Sequence, residues 1–280
     1  MDVNYHIVFG KDEYPELVKY ALENGIQVKN VENVLIVFDI LQSDSRWSWI
    51  KEYLDKRGYK AILDSPIYTK EELLAAEWLS VWCIWHNGYA QPETGDGYEN
   101  GITYTREDWC DSCGIGEKQI GDFRIKKQPN WGRRYFFTMY GEFDQLFVSN
   151  RTREILESHN ITGVQFREVR NRTGDNVLDD VWQMEMPYTL EEPVLVDSPG
   201  VVQAFICPKC GRQKHHFRRV GTLKYKREIF DGAPDVVKSK EICGYERGAY
   251  RNILIRQSFY RFLLEHKMDR SLTFEPIELV

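Results

Sequence analysis

The sequence of 280 residues contains no apolar run approaching the ~20 residues of a membrane span. Its start, Met1-Asp2-Val3-Asn4-Tyr5-His6, has no basic segment leading into an apolar one. Both absences lead to the expectation of a cytoplasmic protein with no membrane partner. Common catalytic signatures are missing too. There is no His-Glu-x-x-His, no Gly-x-Ser-x-Gly and no Walker loop, and the series Gly114, Gly116, Gly121 lacks the spacing and preceding strand of a dinucleotide site. No residue is therefore assigned a catalytic role. A cationic excess is also lacking: 37 Lys and Arg against 43 Asp and Glu give a formal charge of −6, which argues against a general nucleic-acid binder. Cysteine is sparse at six residues, and in a reducing compartment these favour thiolates and metal over disulfides. Aromatic side chains are plentiful, at 14% with eight tryptophans, and this excludes disorder as a global description. A chain of this length accommodates two ordinary domains.

Four of the cysteines form two matching pairs, Cys110-Asp111-Ser112-Cys113-Gly114 and Cys207-Pro208-Lys209-Cys210-Gly211. Each Cys-x-x-Cys-Gly puts two thiolates on one tight turn, where both sulfurs reach a single ion at the ~2.3 Å that Zn2+ prefers and the glycine takes the positive φ that closes the turn. Together, Cys110, Cys113, Cys207 and Cys210 supply a closed structural zinc site that clasps two distant segments; Cys83 and Cys243 are left free. His215 and His216 follow Cys210 closely enough to replace one cysteine as a ligand. A redox role is the other use of Cys-x-x-Cys, but it requires a helix start to lower a thiol's pKa, and neither pair opens an evident helix.

Each pair is followed by the same pattern of residues. Leu146 to Ser149 leads into a helical stretch ending at His159 and then into Val164–Val169; Ile253 to Arg256 leads into a stretch ending at His266 and then into Leu272–Ile277. The register runs without a gap from Leu146 and Ile253 to the two histidines, and one inserted residue restores it through Phe166 and Phe274. Gly141 and Gly248 upstream also correspond. A strand, a helix and a second strand in step after a Cys-x-x-Cys-Gly read as a duplicated unit. Thr152, Ile155 and Leu156, matched by Phe259, Phe262 and Leu263, give each helix one buried face. His159 and His266 are placed to cap the last carbonyls.

These residues resemble the bacterial double-CXXCG motif family. The resemblance covers roughly residues 105 to 280 and rests on the four cysteines with Gly114, Gly211, Val148, Ser149, Gly163 and Phe166. Some members of that family are immunity proteins that neutralise a toxin made by kin. The resemblance thus implies a protein partner, a toxin in kind, and no catalysis.

Charge is unevenly distributed. From Cys207 to Arg227 the chain carries Lys209, Arg212, Lys214, Arg218, Arg219, Lys224, Lys226 and Arg227 with no carboxylate, whereas Gly174 to Asp197 holds seven acids and no Lys or Arg. Lys214, Arg218, Arg219, Lys224, Lys226 and Arg227 are accordingly the candidate partner-binding residues. The alternative is a nucleic-acid-binding, zinc-ribbon-like protein in which this run contacts phosphate while Phe217 and Tyr225 stack on bases.

The expected fold class is α+β: an N-terminal alternating α/β domain at 1–100, then a zinc-binding domain at 101–280 with repeat copies at about 105–173 and 200–280. In the first domain, strands at Tyr5–Phe9, Asn33–Ile40 and Tyr59–Leu63 alternate with helices at Asp12–Asn24 and around Trp47–Leu54. The nearly all-apolar Asn33–Ile40 reads as a central strand buried on both faces. Thr69 to Glu72 is a capping box. Trp78–His86 reads as a strand, and the turn-rich Asn87–Asn100 as the domain boundary. Further strands are expected at Phe123–Lys127 and Tyr135–Tyr140. The acidic stretch reads as a connector with at most one strand, Val194–Val196.

Overall fold

The computed structural model describes residues 1–59, 62–89, 102–172, 175–217 and 220–280. The chain forms two compact units, one of Met1–Glu72 with Arg219–Gly221 and a larger one of Leu73–Arg218 with Thr222–Val280. Strands and helices are both present, and the fold is α+β.

The first unit runs β1 (Asp2–Gly10), α1 (Pro15–Glu23), β2 (Lys29–Val31), β3 (Leu35–Leu41), α2 (Trp47–Lys56), β4 (Ile62–Ile67). Its sheet order is β2-β3-β1-β4 and every neighbouring pair is antiparallel. A β-α-β-β-α-β chain with this order is the ferredoxin-like arrangement. Pro15 begins α1, where its missing N–H costs nothing, and Gly25 follows the helix at φ 72°. Asp44 accepts the N–H of Arg46 at 2.9 Å and so holds the turn entering α2. Ile7, Phe9, Ile36, Phe38 and Ile40 of the sheet bury against Leu17 and Ala21 of α1 and Trp47, Ile50 and Leu54 of α2. This corrects the reading of Asn33–Ile40 as buried on both faces. Both helices cover one face, so β3 alternates, with Leu35, Asp39 and Leu41 exposed.

Next comes α3 (Lys70–Ala75), opened by the expected capping box: Thr69 Oγ1 accepts the N–H of Glu72 at 3.2 Å, and Glu72 Oε2 accepts that of Thr69 at 2.8 Å. The second unit then runs β5 (Trp78–Cys83), β6 (His86–Tyr89), β7 (Tyr104–Thr105), β8 (Lys118–Gln119), β9 (Arg124–Ile125), β10 (Phe136–Tyr140), β11 (Leu146–Val148), α4 (Asn150–Ser158), β12 (Gln165–Asn171), β13 (Val177–Glu185), β14 (Val201–Ile206), β15 (Gln213–Phe217), β16 (Lys224–Tyr225), β17 (Val236–Lys238), β18 (Ile253–Arg256), α5 (Gln257–Glu265), β19 (Leu272–Pro276) and β20 (Glu278–Leu279). Among the described residues no helix is long and apolar enough to cross a membrane.

Two sheets dominate this unit, ordered β6-β10-β11-β13-β12-β9 and β17-β18-β5-β19. The antiparallel run β10-β11-β13-β12 matches β17-β18-β5-β19 strand for strand. In each, a strand, a helix and a strand flank a central strand supplied from elsewhere: β13 follows its partners in the chain, whereas β5 precedes all of its own. One core joins them, with Phe136, Leu146, Val148, Leu156 and Met184 from the first set and Leu79, Val81, Ile253, Ile255, Phe259 and Leu263 from the second.

The central position of β5 moves the unit boundary. It lies at Glu72/Leu73 rather than near residue 100, because Trp78–Cys83 pairs with both β18 and β19. The expected loop at 87–100 lies outside the described residues beyond Tyr89. The acidic stretch is also different from its expected form. Val194–Val196 is not a strand, and the stretch instead contains the nine-residue β13. Leu178, Val181 and Met184 of β13 are buried, while its acids are used locally: Asp180 accepts the N–H of Asn150 in the first turn of α4 at 2.8 Å, and Glu185 pairs with Arg167 at 2.8 Å.

Helix ends follow the sequence closely. Ser149 Oγ caps α4 by accepting the N–H of Thr152 at 3.1 Å. His159 Nδ1 donates to Ile155 O at 2.8 Å and His266 Nδ1 to Phe262 O at 3.0 Å. The residues after them, Asn160 and Lys267, both take left-handed conformations, at φ 52° and 56°.

Candidate metal centre

Each cysteine pair occupies the tip of a hairpin. Strands β7 and β8 pair Tyr104 with Gln119 and bracket the first; β14 and β15 pair Ile206 with Gln213 and bracket the second. The two turns have the same bonds. Cys110 N–H donates to Ile115 O at 2.9 Å and Gly114 N–H to Cys110 O at 2.7 Å; Cys207 N–H donates to Arg212 O at 2.9 Å and Gly211 N–H to Cys207 O at 2.8 Å. The closing glycines take φ 77° and 72°. At Gly114 a side chain is also excluded by space, since a Cβ would lie 1.8 Å from Arg247 O.

The tips meet. The sulfurs of Cys110, Cys113, Cys207 and Cys210 all lie within 4.8 Å of one another, the only such metal-ligating group among the described residues. Cys110 and Cys207 are 3.8 Å apart and Cys113 and Cys210 3.7 Å, so none is oxidised. A tetrahedron with ~2.3 Å from centre to sulfur has edges of about 3.8 Å. The donor set therefore fits a metal ion of zinc's size and softness. His215 and His216 are not in the group. His215 is buried on β15, and His216 packs 4.6 Å from the Tyr245 ring.

The surroundings are cationic. The N–H groups of Cys210 and Lys209 hold the Cys207 thiol down at about 6, and the backbone and guanidinium of Arg212 lower Cys210, whereas burial pushes Cys113 up to about 12. Asp111 and Lys209 pair across the two tips at 2.6 Å. Lys214 is only 1% exposed. Its Nζ donates to three carbonyls, Cys113 at 2.6 Å, Glu246 at 2.7 Å and Gly248 at 2.8 Å, and burial lowers its pKa. The other cysteines lie apart from the cluster: Cys83 and Cys243 are buried, and burial raises the thiol of Cys83 to about 11.

The basic run is not one open surface. Lys214 is interior, which removes it from any docking face. Lys224 pairs with Glu278 at 3.0 Å, Lys226 with Glu192 at 2.7 Å and Arg227 with Glu77 at 2.6 Å, so carboxylates remote in sequence neutralise each of them. Arg218 and Arg219 lie outside the described residues. Tyr225 is fully buried with its hydroxyl donating to Glu241 at 2.6 Å, and it is not available to stack on a base. Sequence reasoning missed the buried lysine because a charge run reports sign and not partners. The one available signal was the position of Lys214 two residues after the turn's closing bond, on a strand where Lys214 and His215 must face opposite sides.

No protein-family model matches the chain, and no curated protein matches it.

Proposed function

We propose that Cys110, Cys113, Cys207 and Cys210 hold one structural Zn2+ and that the chain is a non-catalytic protein-binding module, an immunity protein of the double-CXXCG kind that neutralises a cognate bacterial toxin. The observation that carries this reading is the meeting of two Cys-x-x-Cys-Gly tips, 97 residues apart in sequence, at tetrahedral sulfur spacing. Such a site closes a loop and orders the surface around it; with all four positions taken by thiolates it leaves none open for substrate. The matching strand orders of the two sheets support a gene duplication as the source of the unit. The toxin as partner follows from the family resemblance of the same cysteines. The nucleic-acid alternative loses support from the pairing of Lys224, Lys226 and Arg227 and the burial of Tyr225.

Two measurements test the reading. Metal analysis of the purified chain is expected to find one zinc per chain; none, or two, removes the site. The products of the neighbouring reading frames in the native genome are then expressed singly and with this chain. A toxic neighbour whose effect is relieved by the chain, and not by Cys210→Ser, is the expected result. Absence of any such neighbour, together with tight binding of single-stranded DNA or RNA at physiological salt, replaces it with the alternative.

A further inference from the structure

A cavity of about 440 Å³ opens beside the first cysteine turn. This is within the size range of small-molecule sites. Its walls come from equivalent places in the two halves: residues 141–145, which lead into β11, and residues 247–251, which lead into β18, with Trp109 from the flank of the cysteine turn. Gly141 and Gly248 are the glycines that correspond between the two copies, so the cavity lies where the halves meet.

The charges that line it are unequally committed. Asp144, its side chain 18% exposed, accepts from Lys238 Nζ at 3.1 Å and from the N–H of Arg251 at 3.2 Å. Glu117 pairs with Arg106 at 3.0 Å, and Glu142 accepts from the Tyr104 hydroxyl at 2.5 Å. Every acid in the lining thus has a donor from the walls. Of the lining cations, Arg106 and Lys238 pair with these acids and the Arg251 guanidinium donates to the carbonyls of Ser239 and Lys240, whereas Arg247 is exposed, makes no hydrogen bond or ion pair among the described residues and acts only at longer range on Asp111. Next to the opening, Phe143 is 43% exposed with its ring 5.3 Å from that of Tyr250.

Arg247 is held on a rigid turn. Lys214 Nζ binds the carbonyls on either side of it, those of Glu246 and Gly248, and ties both to Cys113. Gly114 packs against the Arg247 carbonyl from the other side. The backbone that carries Arg247 is thus fixed, and its guanidinium offers the planar fork that matches carboxylate or phosphate.

We propose that this cavity binds a small anion that carries a flat ring, of mononucleotide size, with its phosphate or carboxylate on Arg247 and its ring against Phe143 and Tyr250. The inference goes beyond the protein-binding reading and does not depend on it. Isothermal titration of the full chain with AMP and with indole-3-acetate, two anions on flat rings, tests it, with adenosine and inorganic phosphate as the separated halves. At least one ring anion is expected to bind once per chain with Kd of roughly 10–100 µM, and each separated half at least tenfold more weakly. Arg247→Glu is expected to weaken that binding on the order of tenfold to a hundredfold, and Phe143→Ala several-fold, with zinc content and melting temperature unchanged in both. If neither ring anion binds below ~1 mM, if phosphate alone binds as tightly, or if Arg247→Glu leaves the affinity intact, the proposal is overturned.

Discussion

Lys214 shows how little the sign of a residue reveals about its use. An ammonium group has three protons to donate, and here three carbonyls take them, so a fully buried charge is satisfied without a carboxylate. Removing it would orphan three acceptors at once. Lys214→Met is expected to lower stability by about 2–4 kcal/mol, whereas Lys226→Met, which breaks an exposed pair with Glu192, is expected to leave the denaturation midpoint nearly unchanged. Chemical denaturation of the two variants measures the contrast. Glu275 on β19 makes the opposite case, because burial alone raises its carboxyl to about 7 from an ordinary value of 4.5. Between those values the folded chain binds the proton that the unfolded chain has released, so stability falls as pH rises from about 4.5 and the loss is complete above about 7. Glu275→Gln is therefore expected to leave stability at pH 4 unchanged and to raise it at pH 8, on the order of 2 kcal/mol. Denaturation curves at the two pH values check this, and equal effects at both would remove burial as the cause.

At the scale of elements, the ends of helices were legible and the neighbours of strands were not. Ser149, the Thr69–Glu72 box, and His159 and His266 all cap as their positions imply, because a cap is a contact within four residues. Ser149→Ala is accordingly expected to cost about 1 kcal/mol, measured as a shift in the denaturation midpoint, while Ser158→Ala on the exposed end of the same helix costs much less. The cysteine pairs were legible for the same reason: Cys-x-x-Cys-Gly dictates its own turn. What the sequence could not disclose was that β5 and β13 fill the same slot in two sheets from opposite ends of their sets, since strand pairing is decided by contacts far apart in the chain. The acidic composition of Val177–Glu185 masked its alternation, and the unit boundary was misplaced because Trp78–Cys83 is a strand whose partners lie beyond residue 250. In the first unit the one-sided burial of β3 was hidden by Val34 and Leu35, apolar residues that stay exposed.

For the whole molecule, the division into two units makes the effect of the metal site selective. Met1–Glu72 has its own sheet, helices and buried core, and all four cysteines lie in the other unit. The clasp closes a loop of 97 residues between Cys110 and Cys207. By analogy with a disulfide that closes a loop of that length, the constraint is worth about 4–5 kcal/mol through the lost entropy of the unfolded chain. For a unit of this size 1 kcal/mol corresponds to roughly 2–4 °C, so removing the metal with a chelator, or substituting Cys210→Ser, is expected to lower the melting temperature of the second unit by about 10–20 °C. Residues 1–72 expressed alone are expected to melt cooperatively and to ignore the chelator. Calorimetry on the full chain and on residues 1–72, each with and without chelator, separates the contributions. A second unit that melts at the same temperature without metal would show that its shared core, not the clasp, joins the two halves, and a chelator effect on residues 1–72 would show that the four cysteines are not the site of action.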